Sequence, residues 1–347
     1  MKILVTGGAG YIGSHAVRAL LADGHEVTVL DNLLHGHREA IQPVNGKSAL
    51  LIEGSTGEVS AVVKLLKSRQ IETVLHFAAD IEVGESVIDP GKYYLNNFSN
   101  SVQLFTAMVE AGVKKIVFSS TAAVYGEPEK NPVEESQARA PINPYGRSKM
   151  MTEMALEDFS RAHDFGYAIL RYFNVAGASP DATIGEDHHP ESHLIPRILA
   201  TARDQGDSTK NQTVKIFGTD YPTRDGTCLR DYIHVCDLVD AHLLALKNLK
   251  PGSGEVYNLG SENGFSVREV IAACERVTGK KLQVIEEPRR AGDSAVLVAT
   301  SEKIRKQLGW ARKFPDLETI VSHAWKWHSS HPHGYRSPLR ASEEEKP

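Results

Sequence analysis

The first 31 residues constrain the fold more than any other part of this chain. Lys2-Ile3-Leu4-Val5-Thr6 is a short apolar run that reads as a buried strand. Gly7-Gly8-Ala9-Gly10-Tyr11-Ile12-Gly13 follows at once, and Ala16, Leu20 and Leu21 then recur at helical spacing until Asp23-Gly24. Glu26–Leu30 is a second strand-like run with Asp31 at its tip. Glycines let the backbone turn tightly and approach a pyrophosphate, and the following helix N-terminus offers amide donors and a positive dipole end. Asp31 is placed to accept hydrogen bonds from ribose hydroxyls, and its charge would repel a 2′-phosphate. NAD is therefore expected, rather than NADP.

The pattern continues past this unit. Strand-like runs recur at Leu50–Ile52, Thr73–Phe77, Lys115–Ser119 and Tyr167–Arg171, separated by helical segments at Val59–Leu66, Tyr93–Ala111 and Met150–His163. This alternation predicts an α/β fold, a Rossmann-type doubly wound parallel sheet with helices on both faces. After about residue 175 the rhythm loosens, and residues 177–190 read as a long loop. A helix near Ile195–Ala202, short strands at Thr213–Phe217, Glu255–Asn258 and Leu282–Ile285, and a helix at Val267–Thr278 follow. We expect a dinucleotide-binding domain over 1–175, joined by segments returning from the C-terminal half. A smaller α/β substrate-binding lid is expected over 176–335, above the carboxyl ends of the strands, and a flexible tail over 336–347.

Composition narrows the partners. A net charge of −5 over 347 residues gives no basic field for nucleic acid, and no apolar run is long enough for a membrane span. Lys2 leads directly into a strand, so no signal peptide is expected. Cys228, Cys236 and Cys274 are few and far apart, which suits a reducing, cytoplasmic location. Asp187-His188-His189-Pro190-Glu191-Ser192-His193 lacks helical metal-ligand spacing and has no cysteine beside it. It reads as a polar substrate-side loop, with no metal expected.

Asn143 and Pro144 can cap and start a helix, which places Tyr145 and Lys149 i,i+4 on one face. An ammonium beside a phenol favours the phenolate, so Tyr145 is a candidate general base. Thr121, at the end of the run Lys115–Ser119, could share a proton between this phenol and a substrate oxygen. In the second half, Arg230 and Arg290 are planar, multi-donor cations that, taken alone, read as surface ion pairs.

The spacing Gly7-x-x-Gly10-x-x-Gly13, Tyr145-x-x-x-Lys149, His76-Phe77-Ala78-Ala79 and Val117–Thr121 resemble the extended short-chain dehydrogenase/reductase family. Arg171–Gly177, Phe217–Thr223, Gly226–Val235, Tyr257–Gly260, Val83–Ser86 and Pro288–Asp293 are similar to its nucleotide-sugar 4-epimerase branch. The resemblance implies a UDP-sugar substrate and interconversion of UDP-glucose and UDP-galactose through a 4-keto intermediate, with NAD held tightly throughout. It assigns catalysis to Tyr145, Lys149 and Thr121. It assigns NAD contacts to Gly7, Gly10, Tyr11, Ile12, Gly13, Asp31, Asn32, Ser55, Phe77, Ala78, Ala79, Asn96, Ser119, Tyr145, Lys149 and Tyr172. Substrate contacts fall to Thr121, Tyr145, Phe173, Asn174, His193, Leu194, Phe217, Arg230, Tyr232, Arg290, Asp293 and Leu297. It also implies a homodimer that pairs Tyr93–Ala111 and the Tyr145 helix between subunits.

Three departures from the branch carry expectations. Ser55 stands where an adenine-contacting Asp is usual, which predicts looser NAD. Ile81 replaces a lysine found in only some relatives, and carries none. Leu297 stands where hexose-restricted relatives have a bulky Tyr, which predicts room for the 2-acetamido group of UDP-GlcNAc and UDP-GalNAc. A 4,6-dehydratase of this fold would have acids after the catalytic Thr, where this chain has Ala122 and Ala123. A UDP-glucuronate 4-epimerase would add groups for a C6 carboxylate. An inactive NAD-sensing regulator would be expected to lose the Tyr/Lys pair.

Overall fold

The computed structural model describes residues 1–207, 209–210, 212–290 and 293–335. The tail from residue 336 and the Ala291-Gly292 part of the Pro288–Asp293 motif lie outside them. Fourteen strands occur among the described residues: β1 (Lys2–Thr6), β2 (Glu26–Asp31), β3 (Leu50–Glu53), β4 (Thr73–His76), β5 (Lys115–Ser119), β6 (Gly166–Tyr172), β7 (Asn174–Ala176), β8 (Thr213–Phe217), β9 (Leu229–Arg230), β10 (Tyr232–His234), β11 (Gly254–Leu259), β12 (Phe265–Ser266), β13 (Gln283–Glu287) and β14 (Val296–Leu297). Seven form one sheet in the order β11-β6-β5-β4-β1-β2-β3, and all its pairings are parallel. This is the doubly wound order, with its reversal between β1 and β4. β11 is the strand that returns from the second half, lying beside β6 with Val256 opposite Ile169.

The helices are α1 (Tyr11–Ala22), α2 (Val59–Ser68), α3 (Val83–Ile88), α4 (Pro90–Tyr93), α5 (Asn100–Ala111), α6 (Pro144–His163), α7 (Leu194–Arg203), α8 (Val235–Asn248), α9 (Val267–Thr278), α10 (Glu302–Leu308) and α11 (Leu317–Ser330). The two-residue period of β1 sorts them onto the two faces of the sheet. Ile3 and Val5 pack with Leu20 of α1 and Leu238 of α8, whereas Leu4 packs with Leu66 of α2, Phe105 of α5 and Leu156 of α6. All these side chains are buried, each contributing about 1.5–3 kcal/mol of transfer free energy.

The single helix expected over Tyr93–Ala111 is interrupted. Tyr94–Ser99 forms a π-helical turn between α4 and α5. Its wider winding needs other partners for the displaced backbone groups. Thr152 of α6 donates to the Asn97 carbonyl at 3.1 Å, and the Asn97 amide donates to Ser148 Oγ at 3.2 Å. The π turn thus docks onto the helix that carries Tyr145 and Lys149.

The second half builds its own core. Ile195, Ile198 and Leu199 of α7, Val270 and Ile271 of α9, and Ile320 and Val321 of α11 pack together. β8 pairs with β13, and β9 lies between β12 and β14. α9 is closed by a reciprocal cap in which Ser266 and Glu269 each bond the other's backbone amide. Among the described residues, no helix is long and apolar enough to cross a membrane.

Candidate active site

The expected residues meet at the carboxyl ends of the central strands. The glycine turn leaves β1, Asp31 ends β2, Phe77-Ala78-Ala79 leaves β4, Ser119-Ser120-Thr121 leaves β5, and Tyr172 ends β6. Gly7 has φ +67°, and a Cβ there would lie 2.5 Å from the Ala78 nitrogen. A Cβ on Gly13 would lie 2.0 Å from the Gly7 carbonyl oxygen. Only glycine lets this turn approach its neighbours so closely. The cleft beside it is lined by Gly7, Asp31, Asn32, Ser55, Ala78, Ala79 and Asn96, together with Leu30, Gly54 and Thr56, which the sequence reading did not single out.

Polar groups in this cleft are partly engaged. Asp31 accepts from the amides of Ala9 and Leu33, both at 2.9 Å. A carboxylate has about four acceptor positions, so some remain for ribose hydroxyls. Ser55 Oγ accepts from the Gly57 amide at 3.1 Å. The Tyr11 hydroxyl donates to the Gly177 carbonyl at 2.7 Å, tying the first residue of α1 to the second half. Ile12 packs at the edge of the α1 core, and the Phe77 ring lies 4.9 Å from the His242 ring, tilted by 37°. Asn96 donates to Asp80 at 2.8 Å. Asp80 follows Ala79 directly, which is the signal that could have marked it as the support of Asn96.

α6 starts as its sequence dictates. Pro144 is its first residue, and Asn143 Oδ1 accepts from the Gly146 amide at 2.8 Å. Tyr145 and Lys149 follow on this first stretch. Lys149 is 4% exposed, donates to the Ser119 carbonyl at 3.0 Å and lies 5.0 Å above the Phe118 ring. Burial lowers its ammonium to about 8, against the pull of the Glu153 and Asp80 carboxylates. Tyr145 is the correction. The sequence reading has the neighbouring ammonium acidify this phenol, but burial instead pushes it up to about 12. The Thr121 hydroxyl pulls it partly back, and Glu82 raises it further. The buried anion loses solvation, and the Lys149 ammonium, bonded to the Ser119 carbonyl, does not make that loss good. Thr121 Oγ1 also accepts from the Ala123 amide at 3.1 Å, Tyr93 meets the Tyr145 ring edge-on at 6.4 Å, and Ser119 and Tyr172 share a hydroxyl hydrogen bond.

The support behind α6 escaped the sequence reading. Glu153, fully buried, takes a bidentate pair from Arg171 of β6 and a hydrogen bond from Ser120 at 2.6 Å. Arg171 heads the Arg171–Gly177 match, yet nothing in its spacing pairs it with Glu153.

The substrate-side residues fall into three groups. Arg290 lies 4.8 Å over the Phe217 ring and pairs with Asp293 at 3.0 Å, and Arg230 reaches the same carboxylate at 3.4 Å. Leu297 is in register with Arg230 across β14 and β9. Asn174 donates to the Asp231 carbonyl at 2.9 Å, and Phe173 packs against the cluster of Val124, Tyr125 and Val133. Tyr232 is buried in the second core, and burial raises its phenol. Leu194 opens α7, and His193 precedes it.

His193 belongs to a cluster that the linear spacing does not announce. Its Nδ1 lies 2.9 Å from Glu186 and 3.0 Å from Glu191. Burial disfavours charge on this ring, but the two carboxylates hold it up at about 11. His188 faces the same pair and, with burial again opposing, is raised to about 9.

Fold and site together define a dinucleotide-binding α/β protein with a Tyr/Lys pair beside the carboxyl end of β5. Residues 3–260 match the NAD dependent epimerase/dehydratase family. The chain is 50% identical over 336 residues to a UDP-glucose 4-epimerase of Halalkalibacterium halodurans, covering 96% of this chain and 98% of that one. It superposes with TM-score 0.90 and 35% identity on a Bifidobacterium longum UDP-glucose 4-epimerase in complex with NAD+ and UDP, covering 96% of this chain and all of the other. A UDP-Glc/GlcNAc 4-epimerase from Campylobacter jejuni is 45% identical with TM-score 0.82, covering 95% and 99% of the two chains. The chain belongs to the NAD-dependent epimerase/dehydratase family.

Proposed function

We propose that this protein is an NAD-dependent UDP-glucose 4-epimerase, interconverting UDP-glucose and UDP-galactose. The observation that carries the reading is the meeting of Tyr145, Lys149 and Thr121 at the strand ends that also hold the glycine turn and Asp31. The cleft suits NAD, because Gly7 and Gly13 keep the turn tight against its own backbone, and Asp31, Asn32 and Ser55 line the cleft beside it. Gly7, Gly10 and Gly13 bring backbone to the pyrophosphate, the α1 amides face it, and Asp31 receives ribose hydroxyls. Tyr11, Ile12, Asn32, Ser55, Phe77, Ala78, Ala79, Asn96, Ser119 and Tyr172 surround the remainder. Lys149 holds the nicotinamide ribose.

Bound NAD supplies a hydride acceptor, then a hydride donor, and a cationic pyridine ring. The protein performs the rest. Tyr145 Oη takes the proton of the sugar 4-hydroxyl and later returns it, with Thr121 Oγ1 bridging the two oxygens. Because burial keeps Tyr145 protonated in the protein alone, its base form needs more positive charge than Lys149 directs at it. Arg230, Arg290 and Asp293 anchor the UDP, Phe217 flanks uracil, and Asn174, Phe173, His193, Leu194 and Tyr232 shape the remaining walls. UDP stays held while the 4-ketopyranose turns, so the opposite face of C4 is reduced. No net oxidation occurs.

Leu297 favours a second substrate pair. Its side chain is smaller than the Tyr of hexose-restricted relatives, leaving space for the 2-acetamido group of UDP-GlcNAc. The protein acts as a homodimer in the cytoplasm. The dimer is supported by exposed Leu95 and Met154 on the two segments expected to pair, and the compartment by three unpaired cysteines. The test is incubation of the purified protein with UDP-galactose and no added NAD, followed by product analysis. UDP-glucose is the expected product, and a substrate recovered unchanged would end this reading.

A further inference from the structure

Three side chains beside the cleft, Glu186, His188 and Glu191, take no part in the reaction above. With His193 they bring one ligand atom each to within 4.8 Å of one another. We propose that Glu186, His188, Glu191 and His193 form a closed site for a divalent transition metal of the zinc type.

The distances suit that ion. A tetrahedral zinc centre with bonds of about 2.0–2.1 Å separates its ligand atoms by about 3.3 Å. Here His193 Nδ1 lies 2.9 Å from Glu186 Oε1 and 3.0 Å from Glu191 Oε1, and His188 Nδ1 lies 3.3 Å from Glu186 Oε1 and 3.8 Å from Glu191 Oε2. Two imidazole nitrogens and two carboxylate oxygens complete a four-ligand set of the kind zinc accepts.

The hydrogen bonding points the same way. His188 Nδ1 is buried without a hydrogen-bond partner, although Glu186 Oε1 lies 3.3 Å away. Unless the ring is protonated, a nitrogen buried against carboxylate oxygens without a hydrogen bond costs free energy. An ion at the centre takes its lone pair and both carboxylate charges at once. Two carboxylates, two neutral imidazoles and one divalent cation sum to zero charge. The backbone is held from behind, since the buried Trp327 indole donates to the Glu186 carbonyl at 3.1 Å. Four protein ligands leave no open position, so the ion braces the loop and performs no chemistry. That loop runs from His188, 6.4 Å from the Tyr11 ring, to the first residue of α7.

Two protons on the histidines balance the same charge and are the rival occupant. The full-length protein is stripped with a chelator, incubated with zinc chloride at neutral pH, desalted and analysed for metal. About one zinc per chain is expected, with a higher melting temperature than the stripped protein. Glu191→Gln and His188→Gln should each retain at least about tenfold less zinc, since a lost ligand weakens such sites steeply. His189→Gln, on the same loop with a 57% exposed side chain, should retain it fully. Cobalt substitution should give the visible bands of a tetrahedral centre in the wild type and in His189→Gln, but not in the two ligand variants. Zinc absent from the wild type after desalting, or retained equally by all three variants, would assign the cluster to protons and overturn the proposal.

Discussion

Arg171 and Glu153 form a buried bidentate pair, Nε to Oε1 at 2.9 Å and Nη2 to Oε2 at 2.6 Å, with side chains 4% and 0% exposed. The pair fastens α6, two turns beyond Tyr145, to β6. Ser120, next to Thr121, bonds the same carboxylate. The Glu153 carboxylate, which Arg139 also meets at 3.2 Å, therefore ties the helix carrying Tyr145 to the strand end carrying Thr121.

Removing one partner of such a pair strands the other charge in the core. Glu153→Ala should lose about 3–5 kcal/mol of stability by urea denaturation. The apolar double replacement Glu153→Leu with Arg171→Met should recover most of that loss. An alanine variant as stable as wild type would show that Arg171 finds other partners.

The depressed ammonium of Lys149 makes stability depend on pH. Its folded value is about 8 against 10.5 for the free group, so between these limits the unfolded chain binds the extra proton. Stability then rises with pH, by roughly 1 kcal/mol per unit from this group. Wild type should gain on Lys149→Met between pH 8 and pH 10, the unperturbed Tyr limit. Parallel stability curves for the two proteins would contradict the buried charge.

Much of this site was legible because its determinants are local. The glycine turn, Asp31 at the tip of β2 and the Asn143-Pro144 start of α6 each depend on a few consecutive residues. The π turn was not legible, since the Asn97 carbonyl finds its partner in Thr152 across space. Neither was the acidity of Tyr145, because the sequence displays the neighbouring Lys149 but not the burial that raises the phenol. The convergence of Glu186, His188, Glu191 and His193 depends on a loop path that no periodicity encodes.

Leu95 and Met154 are large apolar side chains, 67% and 47% exposed, on the two helical segments expected to pair between subunits. Sedimentation of the wild type should give a dimer. Leu95→Glu combined with Met154→Glu should give a folded monomer, because two carboxylates per subunit would be desolvated on pairing. A wild-type monomer at micromolar concentration would contradict the dimer.

Leu297 makes a specificity prediction. The wild type should convert UDP-GlcNAc as well as UDP-glucose. Leu297→Tyr should lose at least about tenfold in UDP-GlcNAc turnover, a steric penalty of about 1.4 kcal/mol or more, while UDP-glucose turnover is retained. Product ratios by chromatography decide it, and absence of UDP-GlcNAc turnover in the wild type would rule out the wider pocket.

The most direct measurement compares Tyr145→Phe with wild type in UDP-galactose turnover, alongside UDP-galactose binding by calorimetry. Removing only the phenolic oxygen should lower kcat by about 10²–10⁴-fold while affinity changes little. Turnover at the wild-type rate by the phenylalanine variant would remove Tyr145 from the proton transfer.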